Sequence, residues 1–203
     1  MFDKGSRRMT GSNSTATLSQ LGAAGPLAVQ PLVYPLDSFY ARAGRSLPVI
    51  EAIAGDAMPE PYRNLLVHDV DMTSTLERFY NGRVRIEIIQ SERRDDFYFR
   101  ALVLTIEGSL KRIEFGAIRI NLSLFKPAAR QLILEGSQPL GRILQVCDVP
   151  YTSRPKAFLR MQTDAYINQA LGLEGALTLY GRRNTLFDPK QRAYAEIVEI
   201  LPP

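Results

Sequence analysis

Between Asp71 and Tyr80 the apolar residues Met72, Leu76 and Phe79 recur at i, i+4 and i+7, the spacing of one helix face. Asp71 stands where an N-cap belongs, and Asn81-Gly82 supplies a stop. Past that stop the spacing changes to two. Val84, Ile86 and Ile88 alternate with polar residues, and Asp96 to Glu107 is a long aromatic and β-branched run that is apolar on both faces, as a strand covered on both sides would be. Glu107-Gly108 reads as a hairpin turn into a further strand from Arg112 to Leu122. Helical signals then return. Pro127 opens a helix that runs through Leu134 and closes at Gly136, and Pro139-Leu140-Gly141 begins a shorter one through Val146. Strands finish the chain at 156–163, 176–186 and 193–201, with Asp188-Pro189-Lys190 as the last hairpin turn. Ahead of all these, Pro61 opens a helix through Leu65-Leu66. This order predicts an α+β domain built on a mainly antiparallel sheet, with its flanking helices to one side.

The N-terminal part reads differently. Residues 1–30 are rich in Ser, Thr, Gly and Ala and are expected to form a flexible tail. Residues 31–58 are expected to be a packing segment, with Val33, Tyr34, Leu36, Phe39 and Tyr40 against the domain and a short helix over 47–54 ending near Gly55. The compact domain is then 59–203.

Composition narrows the chemistry. The 203 residues are 45% apolar, enough for one core, and include one histidine, His68, and one cysteine, Cys147. That excludes an internal disulfide framework and a Cys/His zinc site, so no metal held by such a cluster is expected. Chemistry has to rest on carboxylates, arginines, hydroxyls and backbone groups. The net charge of +4 suits a small anionic partner. Nucleic acid is disfavoured because arginines such as Arg93-Arg94 and Arg182-Arg183 are scattered, the first pair beside Glu92, Asp95 and Asp96, with no basic helix. No apolar run reaches the roughly 20 residues of a membrane-spanning helix, and residues 1–25 lack a secretory signal, so a cytoplasmic location is expected.

Four stretches in fixed order add a more specific indication: His68-Asp-Val-Asp-Met-Thr73, Phe99-Arg100-Ala-Leu102, Gln138-Pro-Leu-Gly141, and Leu179-Tyr-Gly-Arg-Arg183 followed by Glu199-Ile-Leu-Pro202. Over roughly Pro59 to Pro203 the chain resembles the chorismate pyruvate-lyase family, whose members release pyruvate from chorismate to leave 4-hydroxybenzoate. The resemblance implies an antiparallel sheet with flanking helices, a small buried ligand pocket, no cofactor, and a monomer. It also implies roles. Arg100 would grip the ligand carboxylate, Met72 would offer a backbone donor at a helix start, Leu140 would line the pocket, and Glu199 would meet the hydroxyl end. One departure stands out: where relatives carry a basic residue just after the strand glycine, this chain has Ala117 after Gly116, and Arg119, two positions on and on the same face, offers a substitute.

Each residue type also has a plainer explanation. Arg100 is in phase with Tyr98, Leu102 and Leu104, so its charge falls among apolar side chains and needs either a ligand or an internal partner such as Glu87 or Glu114. Glu196 and Glu199 fall on opposite faces of a regular strand, and Glu199 is preferred for the acidic role, where a desolvated carboxyl would have a raised pKa. Alternation also splits Arg182 from Arg183; Arg182 is taken as a further anion contact, with a structural pair as the other reading. His68, beside a helix cap, reads as structural, and Cys147 reads as core.

Two functions follow as expectations. The first is a lyase that eliminates pyruvate from chorismate to give 4-hydroxybenzoate or a related hydroxybenzoate, with Arg100 and Glu199 carrying the chemistry on a small anionic aromatic or pre-aromatic substrate. The other is a non-enzymatic, effector-sensing module for small aromatic acids, since a related fold serves that purpose in bacterial transcription regulators. The first 58 residues read as too polar and glycine-rich for a helix-turn-helix, and the pairing of Arg100 with a final-strand glutamate favours catalysis.

Overall fold

The computed structural model describes Met1 and residues 32–203; the tail read over residues 1–30 lies, Met1 apart, outside them. Seven strands form one wholly antiparallel sheet: β1 Ile50–Ile53, β2 Val84–Arg94, β3 Phe97–Ile106, β4 Arg112–Asn121, β5 Thr152–Gln162, β6 Thr178–Phe187 and β7 Ala193–Leu201, in the order β1-β5-β6-β7-β4-β3-β2. The last strand therefore lies at the centre, joining a β2–β3–β4 meander to the β1–β5–β6 half. The α+β antiparallel class expected from the hydrophobic spacing is the architecture observed.

Helices cover both faces. On one, α2 Tyr62–Leu66, α3 Met72–Tyr80, α4 Pro127–Glu135 and α5 Leu140–Val146 bring Leu65, Leu66, Leu76, Ile133, Ile143 and Leu144 onto Leu102, Leu104, Ile118 and Ile120 of the sheet. On the other, α1 Leu36–Arg42 and α6 Ala165–Leu171 bury Leu36, Phe39, Tyr40, Ile167 and Leu171 against Ala101, Val103, Phe115, Ala117 and Val198. Two-sided burial explains why β3 carries apolar residues at nearly every position. It also corrects the expectation of helices to one side. Helix α6 was not anticipated, although its punctuation is explicit: the Asp164 carboxylate accepts from Ile167 N at 2.9 Å at the start, and Gly172 takes a left-handed conformation at the end.

Two further local readings change. Residues 47–54 do not form a helix, because Ile50–Ile53 is an edge strand paired with Phe158–Met161 of β5. Glu and Ala favour a helix locally, but a free sheet edge supplies backbone partners that a short helix lacks. Strand β2 also runs beyond its alternating Val84-Ile86-Ile88 core through Gln90-Ser91-Glu92-Arg93-Arg94, since an edge strand needs no apolar residue on its solvated side. The other expected turns and caps are present. Asp71 caps α3 by accepting from Ser74 N at 2.9 Å, Asn81 ends it in the left-handed region, and Asp188 accepts from Lys190 N and Arg192 N in the last hairpin.

Gly181 of β6 sits so close to β7 that an added Cβ would lie 2.4 Å from the Glu199 carbonyl oxygen. That oxygen is backbone and has little freedom to withdraw. Gly181→Ala is expected to cost about 1–3 kcal/mol of stability, read as a lowered urea midpoint with unchanged slope.

Candidate functional site

The pairing register decides which side chains share a face. Leu102 pairs with Gly116, Gly116 with Glu199, and Glu199 with Arg182, so these four stand in one row across β3, β4, β7 and β6. The next row is Arg100, Ile118, Ile197 and Asn184. These residues point toward the helices α2–α5, and between sheet and helices lies a cavity of about 550 Å³, mouth included. Its floor is Arg100, Leu102, Leu104, Glu114, Gly116, Ile118, Ile197 and Glu199. Asp71-Met72-Thr73 at the start of α3 and Pro139-Leu140-Gly141 at the start of α5 form the roof. The roof is tight: a Cβ on Gly141 would lie 2.7 Å from Asp71 Oδ1. On the floor, the missing side chain of Gly116 keeps the space between Leu102 and Glu114 open.

Arg100 is 1% exposed, and its Nε and Nη1 have no hydrogen-bond partner. Neither Glu87 nor Glu114 pairs with it, so the internal ion pair weighed from sequence is not formed. Burial pulls its pKa down to about 10, which leaves it a cation at neutral pH. A buried guanidinium with open donors costs several kcal/mol unless an anion meets it. The first amides of α3, at Met72 and Thr73, have no i−4 carbonyl within the helix and face the same space.

Arg182 is the opposite case. It is fully buried, and its donors are used: Nε donates to Glu199 Oε2, Nη1 to the Leu66 carbonyl at 3.3 Å and the His68 carbonyl at 2.9 Å, and Nη2 to the Val70 carbonyl at 3.2 Å. It is the structural pair rather than a cavity-lining anion contact, and it ties the α2–α3 connection to the sheet. Arg182 Nη1 also lies 3.1 Å from His68 Nδ1. Arginine only donates, so Nδ1 accepts and the ring proton sits on Nε2, donating to the Leu65 carbonyl at 2.7 Å. His68 is thus a fixed neutral imidazole of the latch, in line with its structural reading.

Glu199 is 4% exposed, lines the cavity, and is held by Arg182. Glu196 lies on the other face, 3.6 Å from Arg119. The raised carboxyl pKa in the cavity belongs to Glu114, which sequence reasoning considered only as a partner for Arg100. Burial, then the charge of Glu199, push it well above the ordinary range against the opposing pull of Arg182. The signal was in the sequence: Glu114 is in phase with Gly116 and Ile118 on the floor strand.

Arg119 is a correction. Ile118 pairs with Arg100, so Arg119 stands on the opposite face, its guanidinium 3.8 Å from the centre of the Phe97 ring. Sharing a face with Ala117 took it away from the cavity, because the cavity face of β4 is that of Gly116. Of the residues singled out from sequence, the structure brings Arg100, Met72, Leu140 and Glu199 together around one cavity; Arg182 lies behind Glu199. Among the described residues, no helix is long and apolar enough to cross a membrane, and no group of three His, Cys, Asp or Glu side chains converges as metal ligands would.

The fold has known counterparts. No protein-family model matches the chain, and no curated protein sequence gives a match. Among solved structures, PhnF from Mycobacterium smegmatis aligns with a TM-score of 0.50 at 11% identity, over 65% of this chain and 63% of that one. The effector domain of PhnF alone aligns at 0.48 and 11% identity over 64% of this chain and 87% of that domain. A GntR-family transcriptional regulator from Enterococcus faecalis V583 aligns at 0.43 and 9% identity over 57% and 91%. The match spans less than two thirds of full-length PhnF. The chain shares its α+β, chorismate lyase-like fold with PhnF.

His68 provides a check on the latch. Its pKa is held below the ordinary 6.5, first by burial and then by the Arg182 guanidinium. A lowered folded-state pKa means that the unfolded chain takes up the proton first, so this residue's contribution to stability is intact above 6.5 and is lost as pH falls below it. An NMR titration of the imidazole is expected to give a midpoint under 6.5, moving upward in Arg182→Met. A wild-type midpoint at or above 6.5 would contradict the latch geometry.

Proposed function

We propose that the cavity binds one small aromatic or pre-aromatic carboxylic acid, with the carboxylate on Arg100, and that it performs a chorismate lyase-type elimination. The observation that carries the binding half is the buried guanidinium whose Nε and Nη1 are unpartnered at the cavity floor. A carboxylate accepts two parallel hydrogen bonds from such a fork, which fixes the plane of an attached ring as well as holding it. The Met72 amide at the α3 start adds partial positive charge, and Leu140 supplies an apolar wall from the roof.

The lyase half rests on what faces that end. In the elimination the ether C–O bond of chorismate breaks, a ring proton leaves, the ring becomes aromatic, and the released enolpyruvate takes a proton to become pyruvate. The protein has to hold the ring, accept a proton and tolerate charge shifting toward the leaving oxygen. Glu199 would serve as the acceptor; it stands in the row of side chains next to that of Arg100 and two strands across the sheet, with Arg182 holding its carboxylate. The four-motif resemblance to chorismate pyruvate-lyase adds support, since Arg100, Met72, Leu140 and Glu199 all meet at this cavity.

One observation favours the second reading, an effector-sensing module. Among the described residues that line the cavity Arg100 is the one cation, and Asp71, Glu114 and Glu199 are acids. A second carboxylate, as chorismate has, finds no partner there comparable to Arg100, whereas a monocarboxylate such as 4-hydroxybenzoate is fully served. The likeness to the PhnF fold is compatible with that use.

Incubation with chorismate, following pyruvate by a coupled assay and 4-hydroxybenzoate by chromatography, separates the two. Equal yields of both, abolished in Arg100→Ala, are expected of the lyase, and Glu199→Ala is expected to lower kcat more than it raises KM. Thermal stabilisation by 4-hydroxybenzoate without pyruvate release would leave the sensing module. In either case Arg100→Ala is expected to weaken hydroxybenzoate binding by roughly 30-fold or more, while Arg119→Ala, altered on the far face, changes it little.

A further inference from the structure

We propose that Glu114 reads the far end of the ligand by donating its carboxyl O–H to a ligand oxygen, which makes it a specificity-determining residue of the cavity. The inference rests on the reading that Arg100 takes the ligand carboxylate, and it adds, beside the Glu199 acceptor that the resemblance implies for the hydroxyl end, a donor that neither the sequence motifs nor the fold assigns.

Glu114 pairs with Leu104 on β3, and Ile118, four residues further along β4, pairs with Arg100. Four residues of strand are roughly 13 Å, so the Glu114 and Arg100 side chains enter the same cavity from positions separated by about the length of one substituted ring with a hydrogen bond at each end. A carboxylate seated on Arg100 directs the opposite edge of its ring toward Glu114.

No framework contact accounts for Glu114. It is 4% exposed, and its Oε2 has no hydrogen-bond partner. Oε1 lies beside Gly116, where even a Cβ would approach to 3.3 Å, so the glycine preserves the space through which the carboxyl meets the cavity. A buried acid that formed part of the framework would have its oxygens satisfied, as the Asp71 and Asp188 carboxylates do.

The charged and titratable groups around Glu114 are Glu199 on β7, Arg182 on β6, Arg100 on β3 and Asp71 at the head of α3, with His68 beyond Arg182. Arg182, the nearest compensating cation, is committed to Glu199 and to three backbone carbonyls. Burial and the nearby Glu199 charge favour the protonated form of Glu114, which has no cation of its own. Glu199 is then the acceptor and Glu114 the donor of a complementary pair. A hydroxyl can satisfy both at once, since it gives a proton to Glu199 and receives one from Glu114. A ring bearing only hydrogen there satisfies neither.

Calorimetric titration of benzoate and 4-hydroxybenzoate tests this on the wild type, Glu114→Leu and Glu114→Gln. The wild type is expected to prefer 4-hydroxybenzoate. Glu114→Leu should leave benzoate affinity in place and reduce that preference by roughly 3–10-fold, the value of one neutral hydrogen bond. Glu114→Gln, whose amide still donates, should keep the preference. Raising the pH ionises the wild-type acid, removes its donor and sets its charge against the ligand oxygen, so the wild-type preference should fall with pH and that of Glu114→Gln should not. A preference unchanged in Glu114→Leu overturns the proposal. Should that variant fail to fold, equal pH dependence in wild type and Glu114→Gln overturns it instead. Failure of benzoate to bind the wild type, or benzoate binding that survives Arg100→Ala, would defeat the Arg100 reading rather than the assignment of Glu114.

Discussion

A guanidinium sealed in the middle of a β-sheet has to be compensated, and two such groups among the described residues, Arg182 and Arg100, are handled in opposite ways. Arg182 spends its donors on Glu199 and on the carbonyls of Leu66, His68 and Val70. Arg100, on the neighbouring row of the same sheet face, leaves Nε and Nη1 unsatisfied. Removing one partner of a buried charge pair typically costs about 3–5 kcal/mol, a cost that an anion on the open donors of Arg100 would offset. The surrounding architecture follows from this constraint. The sheet supplies an apolar floor, the α3 and α5 starts supply a roof, and the saturated arginine fastens roof to floor so that the open one can face a cavity.

The same division explains how three acids coexist with so few cations. Asp71 is consumed as the cap of α3 and accepts from Ser74 N and Oγ. Tyr151 donates at 3.4 Å to Oδ2, the oxygen that also accepts from Ser74 Oγ, and burial, with the adjacent Asp71 charge, pushes the Tyr151 hydroxyl up to about 12. Glu199 is charge-paired with Arg182. Glu114, left with no partner of its own, has its pKa raised. A cavity with an open guanidinium at one end and an acid pair at the other is polar in one direction, and in the proposed function it would orient a ligand whose own ends differ. That property serves a lyase, which needs one productive orientation, and equally a sensor, which needs to distinguish one ring acid from another.

Much of this was legible in the sequence because spacing encodes burial. The switch from the Met72–Leu76–Phe79 spacing to the alternation of Val84–Ile88 located the helix-to-strand transition, and the doubly apolar run through Phe97–Ile106 announced a strand covered on both sides. Period-two phase placed Arg100 among buried neighbours and separated Glu199 from Glu196. What spacing did not reveal was pairing. The 47–54 segment became a strand only because β5 offered it an edge, and α6 was overlooked although Asp164 and Gly172 bracket it. Arg119 was misplaced because the relevant face of β4 was taken from Ala117 rather than from Gly116, a one-residue difference that turns a side chain to the other side of the sheet. Glu114 was passed over because an acid among apolar residues looks like a partner for the nearest arginine until the register shows them four residues apart along the strand.

The Arg100 guanidinium, proposed to be held open for a carboxylate, can itself be observed. In a titration of the labelled protein with benzoate, followed through arginine side-chain N–H resonances, the Arg100 Nε signal is expected to shift saturably, and the uncharged isostere benzamide should leave it where it was. No shift with benzoate, or the same shift with both ligands, would mean that the buried charge is not a carboxylate site.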